Sequence, residues 1–503
     1  MHICMYNIIH TYMSTPRSRH PRPSRSPRCA QTRRPSLPPT EPPLLRTRFS
    51  AAHLLRQFHR LLPVSLLASW LVQSNLCFYQ RAFTPLITLW YCVFQRLSYR
   101  HTLSSVVEDA RSGGADRLSP PGKKLSGQLT SEATPSFSDA RQRLPLKLFH
   151  KTLRHTAAQV GRAVQIARYY GLQAALLDGS TLRLRHHRDI PTEFPPHRTG
   201  NCKKQPYWCL ARVVGIFCLA TGTVLDTALG GLQQSEQRLS FQLLQAAWKD
   251  WLIIADRNFG VYSVVRAARA AQAQVLLRLT QARAAKLARL ARVQLAAGLD
   301  AALTWTPSPH DQCPPGLLPE PIPGRLVALR IARPGFRSFT LYLFTTLSAQ
   351  LCSAQTLAQL YGQRWRVELY LRYVKTQMGL ATFECYSAQM VRKEWLSGLI
   401  AYNLIRWTMT VAAARRRIPL PQLSFSRARE LLLGWLLRCG DRRPGLRSWQ
   451  GLLARVANAR LPKRRQPRLA EPRAIRPFQK DVAKLLGSRA QTRKQLAAAN
   501  AKS

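Results

Sequence analysis

A chain of 503 residues that is 46% hydrophobic is long enough for two to four domains with a sizeable core, which excludes a wholly disordered polypeptide. With 76 Lys and Arg against 23 Asp and Glu, its formal net charge of +53 calls for a polyanionic partner, nucleic acid before a membrane surface. No apolar stretch reaches the roughly 18 to 20 residues of a spanning helix; the longest, Leu61 to Val72 and Ala82 to Phe94, are divided by polar residues and Arg81, so no membrane is expected as a partner.

The eleven cysteines carry no CxxC pair, and their odd number suits a reducing compartment. His186 and His187 are the one histidine pair near a candidate site. Without a spaced cysteine or a second histidine motif they read as loop residues rather than zinc ligands.

Residues 1–50 are rich in Pro, Arg and Ser, and Glu41 is the sole acid before Glu108, so this segment is expected to be a disordered basic arm. A transit peptide has a similar composition. A reading frame extended upstream of its true start is a third option; with no Met between Met13 and Met378, such a start would use another codon. From 51 to 111, "HLLRQFHRLLPVSLLASWL" and "PLITLWYCVFQRLSYRHTLSSVV" predict a small, very basic helical domain. A Gly/Ser/Pro-rich linker follows at 112–138, then helices to about residue 167.

From Gln173 the pattern turns to strands. "AALLDGSTLRL" is followed by "ARVVGIFCLA" and "GTVLDTALG", a hairpin joined by Thr-Gly, and a helix is expected at about 235–248. "WLIIADRNFG" is a short apolar strand, "VYSVVRAARAAQ" a helix and "VLLRL" a strand. The sum is an α/β layer with a mixed sheet. An irregular insert from Thr280 holds a basic Ala-rich helix, Trp305 and "PSPHDQCPPGLLPEPIPG"; the strands "RLVALRIA" and "FTLYLFTTL" lead to a last long helical stretch.

Two of the apolar runs end in aspartate, at Asp178 and Asp256. In the later stretch Tyr361, Arg364 and Lys375 stand minus seven, minus four and plus seven residues from Glu368, so all four share one helix face. Leu357, Leu360, Val367, Leu371, Val374 and Met378 supply a core-facing stripe beside it. Three carboxylates suit two hard cations such as magnesium or manganese at a phosphodiester. The plainer alternatives are that Arg364 and Glu368 form an ordinary solvated pair and that each Asp merely ends a strand, as Asp226 does in the hairpin. The scarcity of acids in this chain argues against coincidence.

These residues are also where the chain resembles a known family. Tyr361, Arg364, Glu368 and Lys375 match at every step the Tyr-x2-Arg-x3-Glu-x6-Lys signature of DDE transposases of bacterial insertion sequences, in the insertion-sequence-four group. "LLDGSTLRL" and "IADRNFG" resemble the segments that carry the family's first and second Asp, and "AYNLIRW" at 401–407 adds weaker similarity. The resemblance implies an α/β fold: a ribonuclease-H-like catalytic core with a mixed sheet flanked by helices, a β-rich insertion and a helical N-terminal DNA-binding region. Residues 139–280 would begin that core, 281–350 form the insertion, 351–412 the catalytic helix and end of core, and 413–503 a helical and basic C-terminal region. Asp178, Asp256 and Glu368 would be catalytic and hold two ions, Mg2+ or Mn2+. Arg364 and Lys375 would hold phosphates and Tyr361 would offer its hydroxyl. Arg257 would bind phosphate or pair with a carboxylate, and Trp305 would stack on a flipped base or pack in the core. The implied reaction is cut-and-paste transposition on double-stranded DNA, transposon ends and target alike, by a homodimer in a synaptic complex in the bacterial cytoplasm on the nucleoid. The competing reading is a catalytically inactive, transposase-derived DNA-binding protein.

Overall fold

The computed structural model describes residues 46–47, 64–73, 82–99, 101–119, 122–196, 208–246, 248–309, 311, 313–333, 336–439, 445–462 and 491. Nearly all of the basic arm at 1–50, the start of the first helical pattern and nearly all of the tail after 462 lie outside these residues. In chain order, β1 (Arg46–Thr47) precedes α1 (Val64–Val72), α2 (Pro85–Leu97), α3 (Leu103–Arg111), α4 (Leu125–Gln128), α5 (Pro135–Arg143) and α6 (Leu146–Ala163). Next come β2 (Val164–Gln165), β3 (Gln173–Leu184), α7 (Ile190–Glu193), β4 (Cys209–Cys218), β5 (Val224–Gly231), α8 (Glu236–Leu243), β6 (Trp251–Ala255), α9 (Tyr262–Ala270) and β7 (Gln274–Arg278). The chain continues through α10 (Gln281–Leu290), β8 (Asp300–Trp305), β9 (Ile322–Arg333), β10 (Phe336–Thr345), α11 (Ala354–Gly362), α12 (Arg366–Arg372), β11 (Thr382–Phe383), α13 (Ala388–Arg416), α14 (Phe425–Cys439) and α15 (Leu446–Asn458).

One mixed sheet runs in the order β5-β4-β3-β6-β7-β10-β9-β8, with β11 added alongside β3. β3, β6 and β7 are parallel; β4 and β5 form the expected antiparallel hairpin, turning at Thr221 and Gly222, whose φ of +68° suits glycine. Strand alternation splits the core in two. Leu176, Leu182, Leu252 and Ile254 face a cluster shared with α2, α6, α11, α12 and α13, whereas Ala175, Leu177, Ile253 and Ala255 face one shared with α8, α9 and α10. Helices therefore cover both faces.

The second N-terminal pattern breaks into α2 and α3 because each has its own cap: the Thr84 hydroxyl accepts from the Ile87 N–H, and the Thr102 hydroxyl accepts from that of Ser105. These helices share the first core cluster with the sheet. The stretch 112–138 holds more order than its composition suggests. Buried Asp116 accepts from the Ser126 N–H at 2.9 Å and its hydroxyl at 2.6 Å, tying a 3₁₀ turn to α4. Strands β8, β9 and β10, from the segment read as an insertion, continue the same sheet.

The described parts of residues 1–331 and 339–463 belong to one compact unit. A second grouping comprises 332–338 and 464–503, of which 332–333, 336–338 and 491 are described. Among the described residues no helix is long and apolar enough to cross a membrane.

Candidate active site

Parallel register brings the two aspartates together. Leu177 of β3 lies opposite Ala255, the last residue of β6, so Asp178 and Asp256 follow at equivalent positions on strands that neighbour one another about 4.8 Å apart. They stand where β6 ends, at the carboxyl edge of the parallel strands, the usual place for ligands in α/β sheets. By alternation Asp178 shares the face of Leu176 and Leu182, against which α12 packs.

That helix supplies the third acid. The stretch is continuous but not regular: α11 tightens into a 3₁₀ turn at Gln363–Trp365, resumes as α12, and widens to a π turn at Tyr373–Gln377. Such departures from α geometry concentrate at functional positions. Arg364, in the 3₁₀ turn and 7% exposed, places one guanidinium nitrogen 2.8 Å from Glu368 Oε1 and another 3.4 Å from Asp178 Oδ2. The pair whose plainer reading is a solvated i,i+4 contact bridges two of the acids. In the π turn, Lys375 Nζ donates to Ser180 Oγ at 2.9 Å, two residues along β3 from Asp178. Tyr361 is 1% exposed, and burial pushes its hydroxyl up to about 12.

Burial also pushes Asp178 up to about 7; Arg364 and the Gly179 N–H oppose this, while Asp256 and Glu368 add to it. Asp256 and Glu368 thus both lie close enough to Asp178 to act on it electrostatically. Their oxygens are the hard donors that Mg2+ and Mn2+ require, and their mutual repulsion is what a divalent cation relieves. Among the described residues no three such side chains close into a metal cage. Arg364 provides the positive charge between Asp178 and Glu368.

The structure places two further candidates. Trp305 is 6% exposed and packs edge-on against Tyr262 and Phe344 in the second core cluster, the core alternative rather than a free stacking face. Arg257 is exposed, and its carbonyl accepts from Arg283 at 2.7 Å. Asp226 is held by Arg154 at 2.8 Å, a structural pair on the hairpin.

Glu236 escapes sequence reasoning. It follows the N-cap Ser235 at the start of α8, where an acid is ordinary. Yet its Oε2 accepts from Asn258 Nδ2 at 2.6 Å, and the Asn258 N–H donates to Asp256 Oδ1 at 2.9 Å. Burial raises the Glu236 pKa; Asn258 and Arg212 lower it and Asp256 raises it. The only signal in the sequence is again the rarity of acids.

A family described as transposase DDE domain matches residues 169–404, a span that contains all three acids. Over 86 residues the chain is 33% identical to a probable transposase for insertion sequence element IS5377 of Geobacillus stearothermophilus, covering 16% of this chain and 23% of that one. Over 333 residues it is 23% identical to transposase InsG for insertion sequence element IS4 of Escherichia coli strain K12, covering 64% of this chain and 71% of that one. The chain therefore spans under a quarter of the first relative's length. A chain in the cryo-EM structure of a piggyBac transposase synaptic complex with hairpin DNA is 11% identical, with a TM-score of 0.37 over 76% of this chain and 78% of that one. Over residues 169–404, a little under half of its length, this chain is thus similar to the family of DDE-domain transposases.

Proposed function

We propose that this protein is a cut-and-paste transposase that cleaves double-stranded DNA at the terminal inverted repeats of an insertion sequence and joins the freed 3′ ends to target DNA. The observation that carries this reading is the register of Asp178 beside Asp256, with Glu368 tied to Asp178 through Arg364. Asp178, Asp256 and Glu368 would hold two Mg2+ or Mn2+ ions. When bound, such ions activate a water or sugar hydroxyl and stabilise the leaving oxygen of a phosphodiester.

The chain's own residues then have separate tasks. Asp178 and Asp256 fix the sheet side of the site, and Glu368 approaches from the helix. Arg364 turns its guanidinium from the carboxylates toward a phosphate, a partner its planar fork fits equally well. Lys375 and exposed Arg257 grip the flanking backbone without reading sequence, and the Tyr361 hydroxyl supports the same strand end. A mixed sheet led by a hairpin and covered by helices on both faces supports a ribonuclease-H-like core. Hydrolysis, hairpin formation on the excised end and strand transfer would share this site, in a homodimeric synaptic complex in the bacterial cytoplasm on nucleoid DNA. The helices before β3 would recognise the terminal repeat, and the strands between Asp256 and Glu368 would serve as the β-rich insertion.

The test is cleavage of a labelled duplex bearing the element's own terminal repeat, with magnesium or manganese, by the wild-type protein and by Asp178→Ala, Asp256→Ala and Glu368→Ala. Cutting by the wild type alone supports the reading. Cutting that survives all three changes removes the triad, and binding without any cutting leaves a DNA-binding remnant.

A further inference from the structure

From the contacts of Glu236 we infer that it is a positioning residue, a brace that sets the spacing of Asp178 and Asp256 from behind the sheet. The inference rests on the function proposed above and adds a residue to it. Two independent contacts define the brace. On one side, Glu236 Oε2 takes the Asn258 Nδ2 hydrogen at 2.6 Å, and the Asn258 backbone N–H holds Asp256 Oδ1 at 2.9 Å. Gln237 locks the same asparagine, donating at 2.8 Å to both its backbone and its side-chain oxygen. On the other side, the Glu236 carboxyl lies against Gly179, whose N–H donates to Asp178 Oδ1 at 2.9 Å.

The glycine makes this contact possible. A Cβ at position 179 would collide with the Glu236 carboxyl group, so any other residue there displaces the brace. Position 179 alternates with Asp178, which puts the contact on the α8 face of the sheet while Asp178 belongs to the α12 face. Glu236 therefore stands behind the two aspartates and does not share a cation with them. One side chain touches the chain immediately after Asp178 and, through Asn258, the side chain of Asp256. A carboxylate can only accept, so it fixes which end of the Asn258 amide faces it, and its charge makes the hydrogen bond short. The distance between two metal-binding aspartates matters on a sub-ångström scale, which explains an extra acid in a chain that has 23.

Reach and charge separate in two conservative variants of the full chain. E236Q keeps the reach to Asn258 and loses the charge; E236D keeps the charge and withdraws it by one methylene. Mn2+ affinity is measured without DNA, by the electron paramagnetic resonance of the free ion, together with the magnesium midpoint for cleavage and the thermal midpoint without cation. A brace predicts that E236Q stays within about threefold of wild type in both cation readouts, and that E236D weakens both by about tenfold. It also predicts that the two variants unfold within a few degrees of each other. Wild-type cation affinity in E236D overturns the brace, as does E236Q proving the more damaged of the two. Asp256→Asn run alongside distinguishes the layers: if it still cuts, the proposed function fails, whereas its loss beside a wild-type E236D removes the brace alone.

Discussion

Burial among like charges holds Asp178 at about 7, far above the usual carboxylate range, and this gives the site a pH signature. Because the folded pKa is raised, the ionised form carries a stability penalty that is absent at low pH, grows as pH rises toward 7 and is complete above it. A divalent cation needs the ionised form, so proton and cation compete. Mn2+ affinity is expected to strengthen by about tenfold per pH unit below 7 and to level off above it, and Asp178→Asn is expected to abolish that slope. A titration between about pH 5.5 and 8 checks this; a flat profile contradicts it. Arg364 offers a second prediction. Arg364→Ala removes the bridge to Asp178 and Glu368, and should lower stability by about 1.5 to 3 kcal/mol, the range for hydrogen bonds to charged groups, as read by urea unfolding. Arg364→Lys should recover part of the stability and less of the cleavage, since an ammonium cannot replace a two-armed fork. At this scale the sequence was informative about acids that end apolar runs, because acids are rare here. It said little about partners: that Arg364 reaches Asp178, that Trp305 turns inward, or that Glu236 stands behind Gly179 depends on packing between segments far apart in the chain.

Among elements, α13 shows what a run that resembles the family does in this chain. The "AYNLIRW" segment grips the β4–β5 turn: the Tyr402 hydroxyl donates to the Gly222 carbonyl at 2.8 Å, and Asn403 accepts from the Val224 N–H and donates to its carbonyl, both at 2.9 Å. The Arg406 guanidinium donates to the Thr221 carbonyl. In this chain the run holds the hairpin that borders β3. Asn403 is fully buried, so Asn403→Ala strands two backbone groups and is expected to cost about 2 to 4 kcal/mol in urea unfolding, with cleavage retained below the new transition. A change within about 0.5 kcal/mol would show that water or a shifted loop replaces the clasp. Helix periodicity placed most of the Glu368 stripe: Leu357, Leu360, Val367, Val374 and Met378 are buried, and Leu371 is half-buried. It could not reveal the 3₁₀ and π turns, whose backbone differs from an α-helix by only one residue in the hydrogen-bond step. Likewise, Gly, Ser and Pro in 112–138 read as a linker because composition does not show that Asp116 will find Ser126.

For the whole molecule, charge and chemistry separate. On the proposed function, a formal net charge of +53 predicts duplex binding dominated by phosphate contacts, which add affinity without sequence information. The logarithm of DNA affinity is expected to fall with the logarithm of salt at a slope of about −5 or steeper, and Glu368→Ala should leave that slope unchanged while cleavage is lost. A shallow slope, measured by fluorescence anisotropy, would argue against charge as the main grip. Composition pointed toward a nucleic-acid partner, and the order of strands and helices foresaw the mixed sheet. The sharing of one core by the N-terminal helices and the sheet was not legible, because amphipathic helices reveal a buried face but not what covers it. The central claim is that segments around 178, 256 and 368 hold the same cation. Loading the protein with Fe2+ and generating hydroxyl radicals at the bound ion should cut the backbone at these three segments together, with Mg2+ competing and a variant carrying Asp178→Asn, Asp256→Asn and Glu368→Gln showing none of the cuts. Cuts confined to one segment, or clustered elsewhere and unchanged in that variant, would contradict the account.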